Sequence, residues 1–314
     1  MKKWWVAVAI TLILTLISIY ILIPSKIRIS GIVFVNASIN GSYRFLSDQS
    51  KWARWWHSAD NPQHNGNTAF TYHGWSFSID GHSVNTAGIR MRAGKLETNS
   101  IVNLLSFAPD STGVLWETTL KAGNNPFNRV MQYRRAAEIK RNMTGILNNF
   151  KSFISDPKNV YGISIFRGST TDTLLLCTKY KSKTYPTTNE IYNYLNPVKE
   201  SIQRQHAQIS GFPMINITRS EDNSFETQVA IPTDRLLTAK DPLFVRRMVP
   251  GNFMICEVKG GNYTINEGLK QLEYFMNDYR KTQMAIPFQS LITDRMKERD
   301  SSRWITRLYM PTRR

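Results

Sequence analysis

The residue types that most often do chemistry are present in this chain, but few are spaced to act together. The five histidines, His57, His64, His73, His82 and His206, show no His-x-x-x-His spacing with a nearby acid. His57, Asp60 and His64 could approach one zinc ion, yet a polar loop accounts for them better, and no metal is expected. The two cysteines, Cys177 and Cys256, sit in apolar runs without a Cys-x-x-Cys pair, which reads as two buried thiols. There is no Gly-x-Ser-x-Gly, no P-loop and no Gly-x-Gly-x-x-Gly, so nothing points to an acyl-transfer nucleophile, phosphoryl transfer or a nucleotide cofactor. No cofactor of any kind is expected. Glu190 and Glu267 fall at the starts of two helical patterns, where the helix dipole favours an acid. Flat aromatic side chains near the C-terminus, Tyr263, Tyr274, Trp304 and Tyr309, are candidate walls for a planar ligand; core packing would use them equally well.

Those residues lie in a stretch that reads as written twice. Leu174-Leu-Leu-Cys-Thr-Lys-Tyr, Thr188-Asn-Glu, a helical pattern, Phe212-Pro213 and Ala230-Ile-Pro-Thr-Asp-Arg are followed, in the same order, by Phe253-Met-Ile-Cys-Glu-Val-Lys, a helical pattern, Ile286-Pro287 and Tyr309-Met-Pro-Thr-Arg-Arg. Cys177 and Cys256 are 79 positions apart, as are Pro232 and Pro311. Shared spacing suggests a tandem duplication with the cysteines at equivalent places, two repeats over 173–235 and 252–314. A β-α-β-β unit cannot bury its apolar face alone, so the pair should form a pseudo-twofold body with a central cleft.

The chain opens differently. Trp4 to Ile23 carries no charge and is long enough to cross a hydrocarbon core of about 30 Å. Lys2, Lys3, Lys26 and Arg28 flank it, with Trp4, Trp5 and Tyr20 near its ends. The apolar run is longer than a signal peptide's, and Leu22-Ile-Pro-Ser-Lys lacks a small-x-small cleavage site, so residues 1–26 read as an uncleaved anchor. Flanking charges nearly balance; the terminal amine tips the reading towards a soluble part outside the cytoplasm. A formal charge of +17 suits an anionic neighbour such as lipid headgroups. Without a recognition motif beside that charge, nucleic acid is not expected.

Between anchor and duplication, a strand pattern from Ile27 to Val35 runs into Asn36-Ala-Ser, then Tyr43-Arg-Phe-Leu-Ser-Asp48 and Lys51-Trp-Ala-Arg-Trp-Trp56. Strand-like pieces follow at 69–79, 84–92, 95–107 and 114–120, separated by turn residues. From Asn128 to Ser155, Ile139, Met143, Ile146, Leu147, Phe150 and Ile154 make one helical stripe, which Pro126 starts and Asp156-Pro157 stops. Order and spacing from Val35 to Trp56 resemble the opening of the helix-grip superfamily of START lipid-transfer domains and polyketide cyclases, and the rest of residues 27–156 fits that plan. That resemblance implies a curved antiparallel sheet around a long C-terminal helix. Trp75, Phe77, Trp116, Met143 and Leu147 would then line a cavity or fill it.

Within residues 157–314, Val160 to Phe166 is a strand candidate, and Pro197 should kink or restart the first helix. Val258-Lys-Gly-Gly-Asn-Tyr263, Ile286-Pro-Phe288, Leu291-Ile-Thr-Asp294 and Tyr309-Met-Pro311 resemble the GyrI-like effector-binding domain of bacterial drug-responsive regulators. The resemblance implies a cleft for aromatic or cationic molecules. Members carry a Glu in the last strand where this chain has Arg307, which favours an anionic ligand or a loss of binding. The fold expected is therefore α+β: one transmembrane helix, a helix-grip domain and a duplicated GyrI-like domain. The function expected is non-catalytic binding of a small amphipathic or aromatic ligand at the inner membrane of a bacterial cell, through Tyr263, Glu267, Tyr274, Trp304, Arg307 and Tyr309. Two alternatives stay open: a protein-interaction module at the membrane, and a hydrolase or cyclase using Glu267 and Tyr263, as relatives of both folds use an acid and a tyrosine.

Overall fold

A computed structural model describes residues 2–57, 70–170, 173–248 and 250–313. Asp60 and His64, of the zinc grouping weighed above, lie outside them. The protein is α+β and divides into two compact units, Met1–Asp156 and Pro157–Arg314, each built on one antiparallel sheet.

The first unit begins with α1 (Lys2–Leu22), whose stretch Trp4–Leu22 has a mean hydropathy of 2.5 and is apolar and exposed all round. The hydroxyls of Thr11, Thr15 and Ser18 donate to the carbonyls four residues back at 2.8–2.9 Å, so these exposed groups are already paired. Among the described residues, one helix is thus long and apolar enough to span a membrane. Next come β1 (Lys26–Val35), α2 (Ile39–Leu46), a 3₁₀ turn (Gln49–Arg54), β2 (Phe70–Tyr72), β3 (Trp75–Ser83), β4 (Thr86–Ala93), β5 (Leu96–Ala108), β6 (Ser111–Lys121) and α3 (Pro126–Ile154). The strand order is β1-β6-β5-β4-β3-β2.

The short motifs before β2 act as caps and plugs. Ser38 accepts from Gly41 N to start α2, and Asp48 accepts from Ser50 N to start the 3₁₀ turn. Trp52 and Trp55 then turn inward, their indole N–H groups donating to Leu46 O and Phe45 O. The expected strand at 69–79 is two strands, because His73 and Gly74 take positive φ (47° and 75°) and reverse the chain. The stripe on α3 buries Ile139, Met143, Ile146, Leu147, Phe150 and Ile154.

The second unit contains α4 (Pro157–Tyr161), β7 (Ile165–Thr170), β8 (Thr173–Ser182), α5 (Thr188–Arg204), β9 (Met214–Arg219), β10 (Phe225–Thr233), β11 (Phe244–Met248), β12 (Gly251–Lys259), α6 (Asn262–Asp278), β13 (Phe288–Leu291) and β14 (Ile305–Thr312). Its sheet runs β11-β8-β10-β9-β13-β14-β12-β7. The order reads the same from both ends, with one exchange: β7 precedes β8 but pairs with β12, and β11 precedes β12 but pairs with β8. α5 and α6 cover one face. α5 buries Ile191, Leu195, Val198 and Ile202 on Ile215, Val229 and Ile231; α6 buries Ile265, Leu272 and Met276 on Cys256, Val258 and Leu308.

Several expectations are corrected here. Residues 157–161 are helical, and the strand expected at 160–166 begins only at Ile165; Tyr161 Oη donates to Asp278 Oδ2 at 2.7 Å and holds α4 on α6. β11 was not anticipated. α5 runs through Pro197 without a break: Pro197 is exposed, so the carbonyl it leaves unpaired faces water while the buried stripe keeps the helix whole. The two cysteines are not equivalent. Residues 227, 229 and 231 of β10 face the helices, as do 306, 308 and 310 of β14, preserving the spacing of 79. Pairing Cys177 with Ala230 but Cys256 with Leu308 slips β12 by one residue, and a one-residue slip turns a side chain to the other face. Glu190 and Glu267 are not equivalent either. Glu190 is the third residue of α5 and closes a capping box with Thr187, whereas only Gly260 and Gly261 separate β12 from α6, leaving Glu267 a turn further in.

Candidate functional site

In the second unit the sheet face away from α5 and α6 is open. Alternation along its strands puts Leu175 and Cys177 of β8, Phe244, Arg246 and Met248 of β11, Gln228 and Ala230 of β10, Met214 and Asn216 of β9, Phe288 of β13, and Arg307 and Tyr309 of β14 on this face. The segment Met284–Pro287 lies against it and divides two adjoining hollows. One, of about 210 Å³, is walled by Leu175, Met214, Ala230, Met248 and Phe288, with Gln228, Asn216 and Arg246 as its polar groups. The other, of about 720 Å³, is walled by Phe253, Met284, Ile286, Phe288 and Pro311, with Asn252, Arg247 and Arg313 among its polar groups. Met248, Ala285, Ile286 and Phe288 border both.

Aromatic rings pack behind the wall between them. Phe288 stacks on Tyr309 with centroids 4.6 Å apart and planes 9° apart, and Phe253 meets both edge-on at 5.7 and 5.9 Å. Asn216 Nδ2 donates to Pro287 O at 2.7 Å and fixes the dividing segment to the sheet. Arg246 is exposed, its Nη1 donating to Gln228 Oε1 at 3.2 Å, so its charge sits at the mouth of the smaller hollow. Cys177 lies under that mouth. Burial pushes its thiol up to about 11, against the opposing pull of Arg246 and Gln228. No carboxylate lines either hollow among the described residues.

The six residues named from sequence do not meet at one place. Arg307 and Tyr309 are on the open face, where Arg307 Nη2 donates to Glu257 Oε2 at 3.0 Å; bonds to Tyr309 and Glu257 hold the guanidinium firmly charged. Tyr263, Glu267 and Tyr274 are on α6, across the sheet. Tyr263 is 84% exposed, and Glu267 Oε1 accepts from Gln271 Nε2 at 2.7 Å. Neither Tyr263 nor Glu267 lines a hollow. Trp304 is buried, its ring 4.7 Å from the guanidinium carbon of Arg295. In the first unit Trp75, Phe77, Trp116, Met143 and Leu147 are all 3% exposed or less, with Trp75 Nε1 donating to Glu138 Oε1 and Trp116 Nε1 to Ser100 Oγ, both at 2.8 Å. They are packed against their neighbours.

Sequence reasoning missed Arg246 and Met248 because β11 is five residues long and its paired arginines blur the alternation of period two. Phe288 was in view within Ile286-Pro-Phe288, but nothing in the spacing assigned it to a wall.

No protein-family model matches the chain, and no curated protein matches it. Solved structures do. The EcmrR C-terminal domain overlaps 48% of this chain and 98% of its own, at 9% identity and a TM-score of 0.42. SAV2435 bound to tetraphenylphosphonium overlaps 48% and 94%, at 13% identity and a TM-score of 0.32. A hydrolase encoded by lin2189 from Listeria innocua overlaps 48% and 91%, at 10% identity and a TM-score of 0.38. Likenesses this distant carry no argument about what this chain binds.

Proposed function

We propose that the protein is a membrane-anchored receptor for a small amphipathic anion, with residues 1–26 as its anchor, residues 27–156 as a helix-grip unit and residues 157–314 as a GyrI-like unit that takes the ligand into the two hollows. One observation carries the reading: the walls are apolar and aromatic, while the charged groups at the described edges are arginines, Arg246, Arg247 and Arg313. Such a lining favours a molecule with a flat or branched apolar body and one negative group, and disfavours a cation. The combined space suits a drug-sized ligand of the few-hundred-Å³ class.

The test is a thermal-shift series on the full chain in lipid nanodiscs, with an anilinonaphthalene sulfonate, an aromatic carboxylate and tetraphenylphosphonium as probes. The two anions should raise the melting temperature, and the cation should not. Ala285 is exposed and borders both hollows, so Ala285→Trp should place an indole across the border they share without disturbing the core and abolish the shift. A melting temperature unmoved by every probe, or a shift that survives Ala285→Trp, would remove the proposal.

A further inference from the structure

The end of α1 is bound to the start of α3 by a side chain that serves both. Arg129 is buried, and its guanidinium donates to Ile23 O at 2.7 Å, to Tyr20 O at 3.4 Å and to Gly123 O at 3.0 Å, while lying 4.5 Å from the centre of the Tyr20 ring. Tyr20 Oη donates to Asn124 O at 2.5 Å. A cation on the last carbonyls of a helix is placed where the helix dipole favours it. The first turns of α3 are therefore fixed beside the last turn of the apolar helix.

That position has a consequence for what α3 exposes. Phe127 is 86% and Met131 43% exposed; with Arg134, at spacings of four and three, they share the outward face of α3. Phe127 is two residues, or about 3 Å of rise, from Arg129. The headgroup layer on each side of a bilayer is about 5–8 Å deep. Lys26 at the start of β1 pairs with Lys121 at the end of β6, and the β4–β5 turn brings Lys95 to the same end of the sheet; all three, with Arg134, are exposed. Glu97, the nearby acid, is engaged by Arg90 and Arg92.

We infer that the first two turns of α3 lie in the headgroup layer of an anionic bilayer, Phe127 and Met131 entering the acyl boundary and Lys26, Lys95, Lys121 and Arg134 meeting lipid phosphates. The inference rests on the reading of α1 as a spanning helix. It makes Arg129 a clamp that sets the first unit at a fixed pose on the membrane, in place of a swinging tether.

The experiment places single spin labels at Ile13→Cys, Val84→Cys and Phe127→Cys in a Cys177→Ala/Cys256→Ala background, with the full chain in vesicles of phosphatidylglycerol and phosphatidylcholine. Position 84 is exposed in the β3–β4 turn at the opposite end of the sheet. Collision with dissolved oxygen relative to an aqueous nickel chelate should be about tenfold higher at 127 than at 84, and Arg134→Glu should lower it at 127. A label at 127 as wet as at 84, while the label at 13 is deep, overturns the inference and leaves the anchor standing. A wet label at 13 overturns both.

Discussion

Cys177 and Cys256 face opposite sides of one sheet, Cys177 packing with Leu175 and Ala230 on the open face and Cys256 with Leu272 and Leu308 beneath α6. Both are free and fully buried. Burial raises Cys177 from 9.0 to about 11 and Cys256 from 9.0 to about 12. Tyr180 and Tyr192 on the helix face are raised from 10.0 to about 12, in each case chiefly by burial. All four are acids whose folded values exceed their unfolded ones, so the folded state holds more protons and loses stability as pH climbs past 9 towards 12. The melting temperature should be flat from about pH 6 to 8.5 and fall above pH 9. Cys177→Ala/Cys256→Ala should melt lower at neutral pH but fall less steeply. An equal slope in the double variant would show that the thiols do not contribute.

Arg246 and Arg307 share the open face but differ in what answers their charge. Arg307 is paired with Glu257, a half-exposed ion pair of the kind worth about 0–1 kcal/mol. Arg246 hydrogen-bonds a neutral amide and lies 6.0 Å from the centre of the Phe244 ring, with no carboxylate in ion-pair distance among the described residues. Arg246→Gln should weaken binding of an aromatic sulfonate about tenfold, near 1.4 kcal/mol, while Arg307→Gln changes it less than about twofold. Titration calorimetry on both variants decides it, and the reverse ranking would return the site to Arg307.

Arg295 is 5% exposed and bonds Thr306 Oγ1 through Nη2 at 2.9 Å, with Nε unpaired. No carboxylate lies within ion-pair distance of it among the described residues, and burial pulls its pKa down. Replacing an unanswered buried charge by an apolar chain of similar length removes a desolvation cost. Arg295→Met should melt at or above the wild-type temperature, and Arg295→Ala, which leaves a void, several degrees below. A methionine variant as damaged as the alanine one would mean that the stacking on Trp304 outweighs that cost.

Long periodic elements were legible in the sequence, and short or slipped ones were not. The α3 stripe from Ile139 to Ile154 and the nineteen uncharged residues of α1 repeat one signal many times, so chance cannot imitate them. β11 offers five residues and two adjacent arginines. The slip of β12 is invisible in the spacing of Pro232 and Pro311, because the missing residue lies on the other strand of the pair. The hollows were out of reach for a related reason. Their linings come from all eight strands of the sheet and the segment before β13, and only the register decides which side chain of each strand reaches them.

The exchange of β7 and β11 between the halves of the sheet governs how the second unit can be made. When residues 157–235 have left the ribosome, β7 has no partner and the outer edge of β8 stands bare; each waits for a strand encoded further on. Neither half is a self-sufficient module, so a chain cut near residue 235 would present an unguarded β8 to its neighbours and tend to clump with them.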